Sequence, residues 1–286
     1  MTRDFINLAK PGIIFGNVVS VLGGFFLAAQ GSVDVQLLLA TLLGTSLVVA
    51  SGCVINNIID RDIDRYMERT CGRALVTQAV SVRAAWVYAA LLAIGGFGLL
   101  HLQTNALAVL LAALGLAVYA GLYSLYLKRH SVHQTLIGSI SGACPPVIGY
   151  CAVSQQFDLG ALILFVTFCL WQMPHSFGIA VYRLGDYRSA GIPILPVKSG
   201  IRATKVQSLI YTLLFMVSGS LLYVAGYTDR IYLLVFLLTS AYWVHIALAG
   251  FSAEDDRAWA RRFYLFSILA ITIFSISISV NYLPRP

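Results

Sequence analysis

Charge is what this sequence has least of. Asp, Glu, Lys and Arg make up 11% of its 286 residues, against roughly a quarter in an average soluble domain. The few charges are also gathered, since none falls within 35–56, 86–127 or 160–182. A helix that crosses a bilayer needs about 20 mostly apolar residues, and each of these stretches meets that length. With 59% hydrophobic residues in such runs, the chain is expected to be a polytopic membrane protein rather than two soluble domains. Cysteine motifs are missing too. Cys53, Cys71, Cys144, Cys151 and Cys169 form no C-x-x-C pair and no ligand spacing with histidine, which excludes a disulfide framework or a zinc site. Four of the five sit in apolar stretches, where cysteine packs as a small hydrophobe. No signal-peptide or Arg/Ser-rich transit pattern stands before the first apolar run, which points to a bacterial chain inserted directly.

What is present is nine apolar segments, at about 12–30, 34–57, 83–101, 105–127, 134–153, 159–180, 206–226, 231–250 and 263–283. Turn residues separate them in alternation: Gln30-Gly31-Ser32, Gln103-Thr104-Asn105, 154–158 and Tyr227-Thr228-Asp229 are short and nearly free of Lys and Arg. The other connections are longer and basic. Of the 19 Lys and Arg residues, 17 lie before the first segment or after the second, fourth, sixth and eighth, leaving Arg230 and Arg285 opposite. The positive-inside rule makes the basic side cytoplasmic, so the N-terminus is expected inside and the C-terminus in the periplasm. The net charge of +7 is thereby accounted for by topology, and nucleic acid is not expected as a partner. The longest polar connections follow the second and sixth segments and open with Asp60 and Asp186. The expected organisation is a single all-α transmembrane domain, with pseudo-repeat halves at about 12–130 and 131–250 and a ninth helix at about 263–283.

The most informative stretch runs from Asn56 and Asn57 through Asp60, Arg61, Asp62, Asp64 and Arg65 to Glu68 and Arg69. On a helix, Asn56, Asp60 and Asp64 share one face, one turn apart. Like charges at that spacing repel, and a divalent cation relieves the repulsion. Mg2+ takes one or two carboxylates and completes its shell with water and substrate phosphate. Arg61, Arg65, Arg69 and Arg73 follow at four-residue steps. Were the helix to continue, their guanidinium groups would lie near the carboxylates, ready for phosphate oxygens or paired with Asp64 and Glu68 on a solvated face. Asp62 lies off that face. In the second half, Tyr182 and Asp186 are again four apart, but the next step lands on Ala190. That half therefore offers one carboxylate where the first offers two.

At these residues the chain resembles the UbiA superfamily of intramembrane prenyltransferases. That family's Asn-(Asp/Asn)-x-x-Asp-x-x-x-Asp motif is met by Asn56, Asn57, Asp60 and Asp64. Its Tyr-x-x-x-Asp-x-x-x-Asp motif is met by Tyr182 and Asp186 and broken at Ala190, and its Tyr-x-x-x-x-Lys-Arg element is met by Tyr123, Lys128 and Arg129. Within the superfamily the closer likeness, along nearly the whole chain, is to the heme-farnesylating branch. It rests on 10–17, 50–69, 128–131, 142–150, 171–176 and 191–196. The resemblance implies nine helices around a central cavity, with Mg2+ bridging Asn56, Asp60, Asp64 and Asp186 to a farnesyl diphosphate. It implies substrate contacts from Asn56, Asn57, Arg65, Arg69, Arg73, Tyr123, Lys128, Arg129 and Tyr182. Asp60, Asp64 and Asp186 would carry catalysis, heme B would be the acceptor and heme O the product. The site would face the cytoplasm of a bacterial inner membrane, and heme A synthase or terminal-oxidase assembly would be the partner pathway. The departure at Ala190 recurs in this branch and argues against a symmetric two-metal site. His175 is placed either as an axial contact to heme iron or as a hydrogen bond between helices. The Asp motifs leave open an aromatic acceptor such as 4-hydroxybenzoate. Transport and a structural assembly role are disfavoured, because the charges collect at one surface and the carboxylates are stacked.

Overall fold

The computed structural model describes residues 2–283, so Arg285, assigned above to the periplasmic side, lies outside the described residues. The described residues are mostly helical and form no strand beyond an isolated bridge between Thr228 and Tyr282. A short helix α1 (Thr2–Leu8) precedes α2 (Pro11–Ala29) and α3 (Val35–Ile59), and a single turn, α4 (Arg61–Asp64), follows. The chain continues with α5 (Val82–Gln103) and α6 (Ala106–Leu116), which widens into a π-helix over Ala117–Leu127 and ends in α7 (Lys128–His130). Next are α8 (Gln134–Ser154), α9 (Leu159–Tyr182), α10 (Leu184–Ser189), α11 (Leu195–Lys198), α12 (Gly200–Val224), α13 (Arg230–Ala249) and α14 (Asp256–Val280). Nine of these, counting α6 through α7 as one, are long and apolar enough to cross a membrane among the described residues. The protein is a multi-pass membrane protein.

The spans agree with the sequence reading to within a few residues, except that α12 starts at Gly200 and α14 at Asp256, well before their apolar stretches begin. Hydrophobicity locates the bilayer, whereas capping and charge pairs decide where the helix starts. The Asp255 side chain accepts from the backbone N–H groups of Arg257 and Ala258, and Lys205 in the early turns of α12 is ion-paired with Asp256. Such caps satisfy donors that have no intrahelical partner. At the opposite end of the bundle the same device recurs at every even-numbered span. Asp34, Asn105, Asp158 and Asp229 each accept from the backbone N–H three residues on. Asp34 and Asp158 are 124 residues apart, as are Asn105 and Asp229.

Lipid tails are as apolar as leucine, so helices in a membrane associate through close packing and polar contacts rather than the hydrophobic effect. The interfaces here follow that rule. A Cβ built on Gly24 of α2 would lie 1.9 Å from the Pro146 carbonyl oxygen of α8, and one on Gly149 would lie 2.2 Å from that of Val21. Only glycine permits two backbones to approach so closely. Between α3 and α5 the Ser51 hydroxyl donates to the Ala89 carbonyl at 2.8 Å, and Thr167 meets Ser218 at 2.8 Å between α9 and α12. Phe168, Phe215, Phe236, Trp243 and Phe274 fill the interior of the second half. Leu91, Ile94, Leu110, Val217 and Leu238 are exposed, as expected of side chains that face lipid.

Candidate active site at the basic end of the bundle

Asn56, Asp60 and Asp64 are stacked by backbone hydrogen bonds one turn apart. The Asp60 N–H donates to the Asn56 carbonyl at 2.9 Å, and the Asp64 N–H to the Asp60 carbonyl at 2.8 Å. The helix does not persist beyond Asp64, and residues 65–81 form a string of turns. The arginine stripe expected of a longer helix is therefore broken up, and neither Asp64–Arg61 nor Glu68–Arg65 forms. Of those arginines only Arg73 folds back to the carboxylates.

Asp60 and Asp64 are 0% and 1% exposed. A buried carboxylate must be paired, and each is paired through one oxygen only. Asp60 Oδ2 accepts from Lys128 Nζ at 2.5 Å and from Asn56 Nδ2 at 2.8 Å. Asp64 Oδ2 accepts from an Arg73 guanidinium nitrogen at 2.5 Å. The other oxygens, Asp60 Oδ1 and Asp64 Oδ1, are buried with no partner. Leaving such acceptors unmade is costly, and two of them a turn apart make a hard-oxygen donor pair of the kind Mg2+ takes. No cluster of three His, Cys, Asp or Glu side chains exists among the described residues. Two such oxygens would supply only part of a Mg2+ coordination shell, which this ion completes with water and substrate phosphate. The residues fit a Mg2+ ion bound together with a diphosphate.

Lys10 is a site residue to which the sequence reading gave no role beyond topology and the 10–17 stretch of the resemblance. It sits between α1 and α2 in a left-handed conformation, φ 55° and ψ 71°, and its Nζ donates to Asn56 Oδ1 at 2.6 Å. Burial, together with the nearby Arg73 and Lys128 cations, lowers its ammonium from the usual lysine range to about 8, against the opposing pull of Asp60. The sequence signals were a lysine flush against Pro11 at the start of a span and its place in the 10–17 stretch. With Lys10, Arg73 and Lys128 around Asp60 and Asp64, the cluster carries more positive than negative charge, which suits an incoming anion.

The second half docks onto the first through its loops. Asp186 Oδ1 accepts from the Glu68 backbone N–H at 3.0 Å, and the Ser189 hydroxyl donates to the Tyr66 carbonyl at 2.7 Å. Met67 is buried with Ala180, Ile192 and Ile194. A cleft of about 350 Å³ opens beside Asp186, lined by Glu68, Tyr182, Arg183, Asp256 and Arg257 among others. The Tyr182 ring lies beneath the guanidinium groups of Arg183 and Arg257, 4.6 and 5.4 Å from its centroid. Burial raises the pKa of Tyr187, on α10, with Tyr123 adding to the shift.

Several residues assigned from the sequence are engaged elsewhere. Asn57 donates to the carbonyls of Leu8 and Cys53 at 3.0 and 2.9 Å, tethering α1 rather than facing a substrate. The Arg129 guanidinium forks onto both oxygens of Asp62 at 2.6 Å and reaches the Ile59 carbonyl at 2.7 Å, which pins the end of the fourth span to the end of α3. It also gives Asp62 its partner, and the guanidinium holds that carboxyl below the usual range. Arg65 is exposed and caps the Asp62 carbonyl at 2.8 Å, and Arg69 is likewise exposed. Asn56 Oδ1, expected as a metal ligand, accepts from Lys10, while its Nδ2 also reaches the Ser124 hydroxyl at 3.0 Å. Tyr123 stacks on Tyr119 in the π-helix, centroids 5.9 Å apart, a helix type that recurs at functional sites. His175 Nδ1 lies 2.6 Å from the Ser267 hydroxyl of α14, and its ring stacks on Trp171 at 4.8 Å. The hydrogen bond between helices is therefore made.

The chain matches the UbiA prenyltransferase family over residues 17–271. It is 55% identical over 282 residues to a protein of Acinetobacter baumannii named protoheme IX farnesyltransferase, covering 99% of this chain and 97% of that one. Its fold is similar to that of a digeranylgeranylglyceryl phosphate synthase, with a TM-score of 0.80 at 19% identity and 98% of each chain covered. It is also similar in fold to a UbiA homologue from Archaeoglobus fulgidus solved with GPP and Mg2+, with a TM-score of 0.71 at 17% identity, covering 97% of this chain and 100% of that one. A family match across most of the length and a full-length relative at that identity together make this chain a member of the UbiA prenyltransferase family.

Proposed function

We propose that the protein transfers the farnesyl group of farnesyl diphosphate to a vinyl group of heme B, with addition of water, giving heme O and diphosphate. The observation that carries the prenyl-transfer half is the pair of spare oxygens, Asp60 Oδ1 and Asp64 Oδ1, at a buried site with surplus positive charge. The acceptor is drawn from the full-length relatives named protoheme IX farnesyltransferase.

Bound at those oxygens, Mg2+ supplies the charge that stabilises a departing diphosphate. The chain's own residues do the rest. Lys128 and Arg73 fix the two carboxylates, and their remaining donors point to phosphate oxygens as the natural partners. Asp186, held by the Glu68 N–H, offers a carboxylate in the neighbouring cleft rather than in the Asp60–Asp64 cluster. The apolar interior takes the farnesyl tail and limits water. As the bond from farnesyl C1 to the diphosphate oxygen breaks, its electron pair leaves with diphosphate. The vinyl π electrons form the new carbon–carbon bond, and the cation left beside the porphyrin takes up water and loses a proton. The vinyl carbon needs no base to become a nucleophile, consistent with a site built for charge stabilisation. His175, held by Ser267, would be the residue placed to contact heme iron. By the charge asymmetry of the loops, the site faces the cytoplasm of a bacterial inner membrane.

The test uses membranes from cells overproducing the protein, supplied with heme B, farnesyl diphosphate and Mg2+. Chromatography and mass spectrometry of the extracted hemes should show a product heavier than heme B by one farnesyl group plus water, absent with Asp60→Ala. Prenylation of 4-hydroxybenzoate without any new heme would keep the family chemistry and reject the acceptor.

A further inference from the structure

We propose that Lys10 is a resident counter-ion of the site. Its ammonium occupies the amide oxygen of Asn56 until a divalent cation takes that oxygen, and then turns to the substrate diphosphate. The inference rests on the metal–diphosphate reading above and adds a residue and an order of events to it.

Three observations converge. First, Lys10 has no carboxylate of its own, because Asp60 is paired with Lys128 and Asp64 with Arg73. Its Nζ donates instead to a neutral amide oxygen, at 2.6 Å. An ammonium carries three donors, so two remain for a further ligand at this half-buried place. Second, that amide oxygen is the remaining hard donor on the face that presents Asp60 Oδ1 and Asp64 Oδ1. Asn56 Nδ2 is committed to Asp60 Oδ2 and Ser124, which leaves Oδ1 as the end that accepts. A divalent cation coordinated by this oxygen and an ammonium hydrogen-bonded to it repel, so one displaces the other.

Third, the backbone is arranged to deliver Lys10 to this place. The left-handed turn at Lys10 is unfavourable for a residue with a Cβ. It persists between two anchors, since the Leu8 carbonyl is held by Asn57 and α2 opens on Pro11. Consecutive asparagines thus grip the same N-terminal segment, Asn57 by its backbone and Asn56 by its lysine head. Once released from Asn56, the ammonium stays tethered within reach of any phosphate bound at Asp60 and Asp64.

The experiment uses the full chain in lipid nanodiscs, comparing wild type with Lys10→Met, Lys10→Gln and Asp60→Ala. Mn2+ binding is read by electron paramagnetic resonance, and inorganic pyrophosphate binding at saturating Mn2+ by calorimetry. Both Lys10 variants are expected to bind Mn2+ alone several-fold more tightly than wild type, yet pyrophosphate about tenfold more weakly. A merely structural role would weaken both. Wild-type Mn2+ affinity in both neutral variants, or tighter Mn2+ with unaltered pyrophosphate affinity, would overturn the inference. If wild type itself binds no Mn2+, or binds it regardless of Asp60→Ala, the metal–diphosphate reading falls first. If Asp60→Ala abolishes binding while the Lys10 variants match wild type, only the role of Lys10 falls.

Discussion

The backbone N–H of Glu68 donates to Oδ1 of Asp186 at 3.0 Å, joining residues 118 positions apart. Through this bond the loop after α3 and the loop after α9 meet over the site, and Asp186 acts both as an acceptor for a loop and as a carboxylate. Asp186→Asn keeps an acceptor oxygen for Glu68 while removing the charge, whereas Asp186→Ala removes both. Both are expected to lower prenyl transfer about 10- to 100-fold. Only the alanine variant should also expose residues 65–72 to limited proteolysis.

Asp60→Asn and Asp64→Asn should each abolish turnover by more than about 100-fold. They also leave Lys128 or Arg73 beside a neutral amide in a buried place, and breaking a buried pair costs about 3–5 kcal/mol. A lower midpoint of thermal unfolding in detergent should therefore accompany lost activity. Chelation of divalent cations should stop wild-type turnover without that change in midpoint, and added Mg2+ should restore it.

Asn56 and Asn57 are adjacent but do different work. Asn57→Ala frees the Leu8 carbonyl, which is expected to cost about 1 kcal/mol and to make α1 susceptible to proteolysis while Mn2+ binding is retained. Asn56→Ala unseats Asp60 Oδ2 and should lose Mn2+ binding. Equal loss of metal binding in both variants would contradict this division.

Helix contact through glycine backbones gives a stability prediction remote from the site. At Gly24 and Gly149 an added methyl meets carbonyl oxygens at 1.9 and 2.2 Å, where only backbone movement relieves the clash. Gly24→Ala and Gly149→Ala should each destabilise by at least about 1–3 kcal/mol. At Gly98, with nothing within 4 Å, alanine should be neutral or stabilise by about 0.5–1 kcal/mol. Thermal unfolding of the three variants is the measurement.

The Asp62–Arg129 fork predicts a pH signature. The guanidinium lowers the Asp62 pKa below its ordinary 3.8, so the folded state favours the carboxylate. The pair's contribution is then fully present above about pH 4 and is lost as pH falls through the depressed value. Because both side chains are partly exposed, it is worth only about 0.5 kcal/mol. The difference in stability between wild type and Asp62→Asn should be constant from pH 5 to 8 and shrink in stronger acid.

Much of this protein was legible from residue order alone. The apolar runs located nine spans because a bilayer tolerates little else, and the four-residue spacing put Asn56, Asp60 and Asp64 on one face because helix geometry is local. Local rules failed where the helix stopped. The stripe of Arg61, Arg65 and Arg69 had meaning only on a helix that ends at Asp64. The first turns of α12 and α14 were hidden because the caps and the Lys205–Asp256 pair, rather than apolarity, set their starts.

What the sequence by itself determined, then, was the membrane class, the number of spans and the identity of the stacked carboxylates. All three follow from interactions between near neighbours in the chain and from the solvent each residue requires. Only the tertiary structure decided which cation each carboxylate received. Lys128 rather than Arg129 reached Asp60, Arg73 alone returned to Asp64, and Lys10 came to the neighbouring Asn56 from ahead of the first span. Those pairings join residues up to 68 positions apart. They depend on how helices pack and where loops turn, and a buried charge takes whichever partner that packing brings within reach.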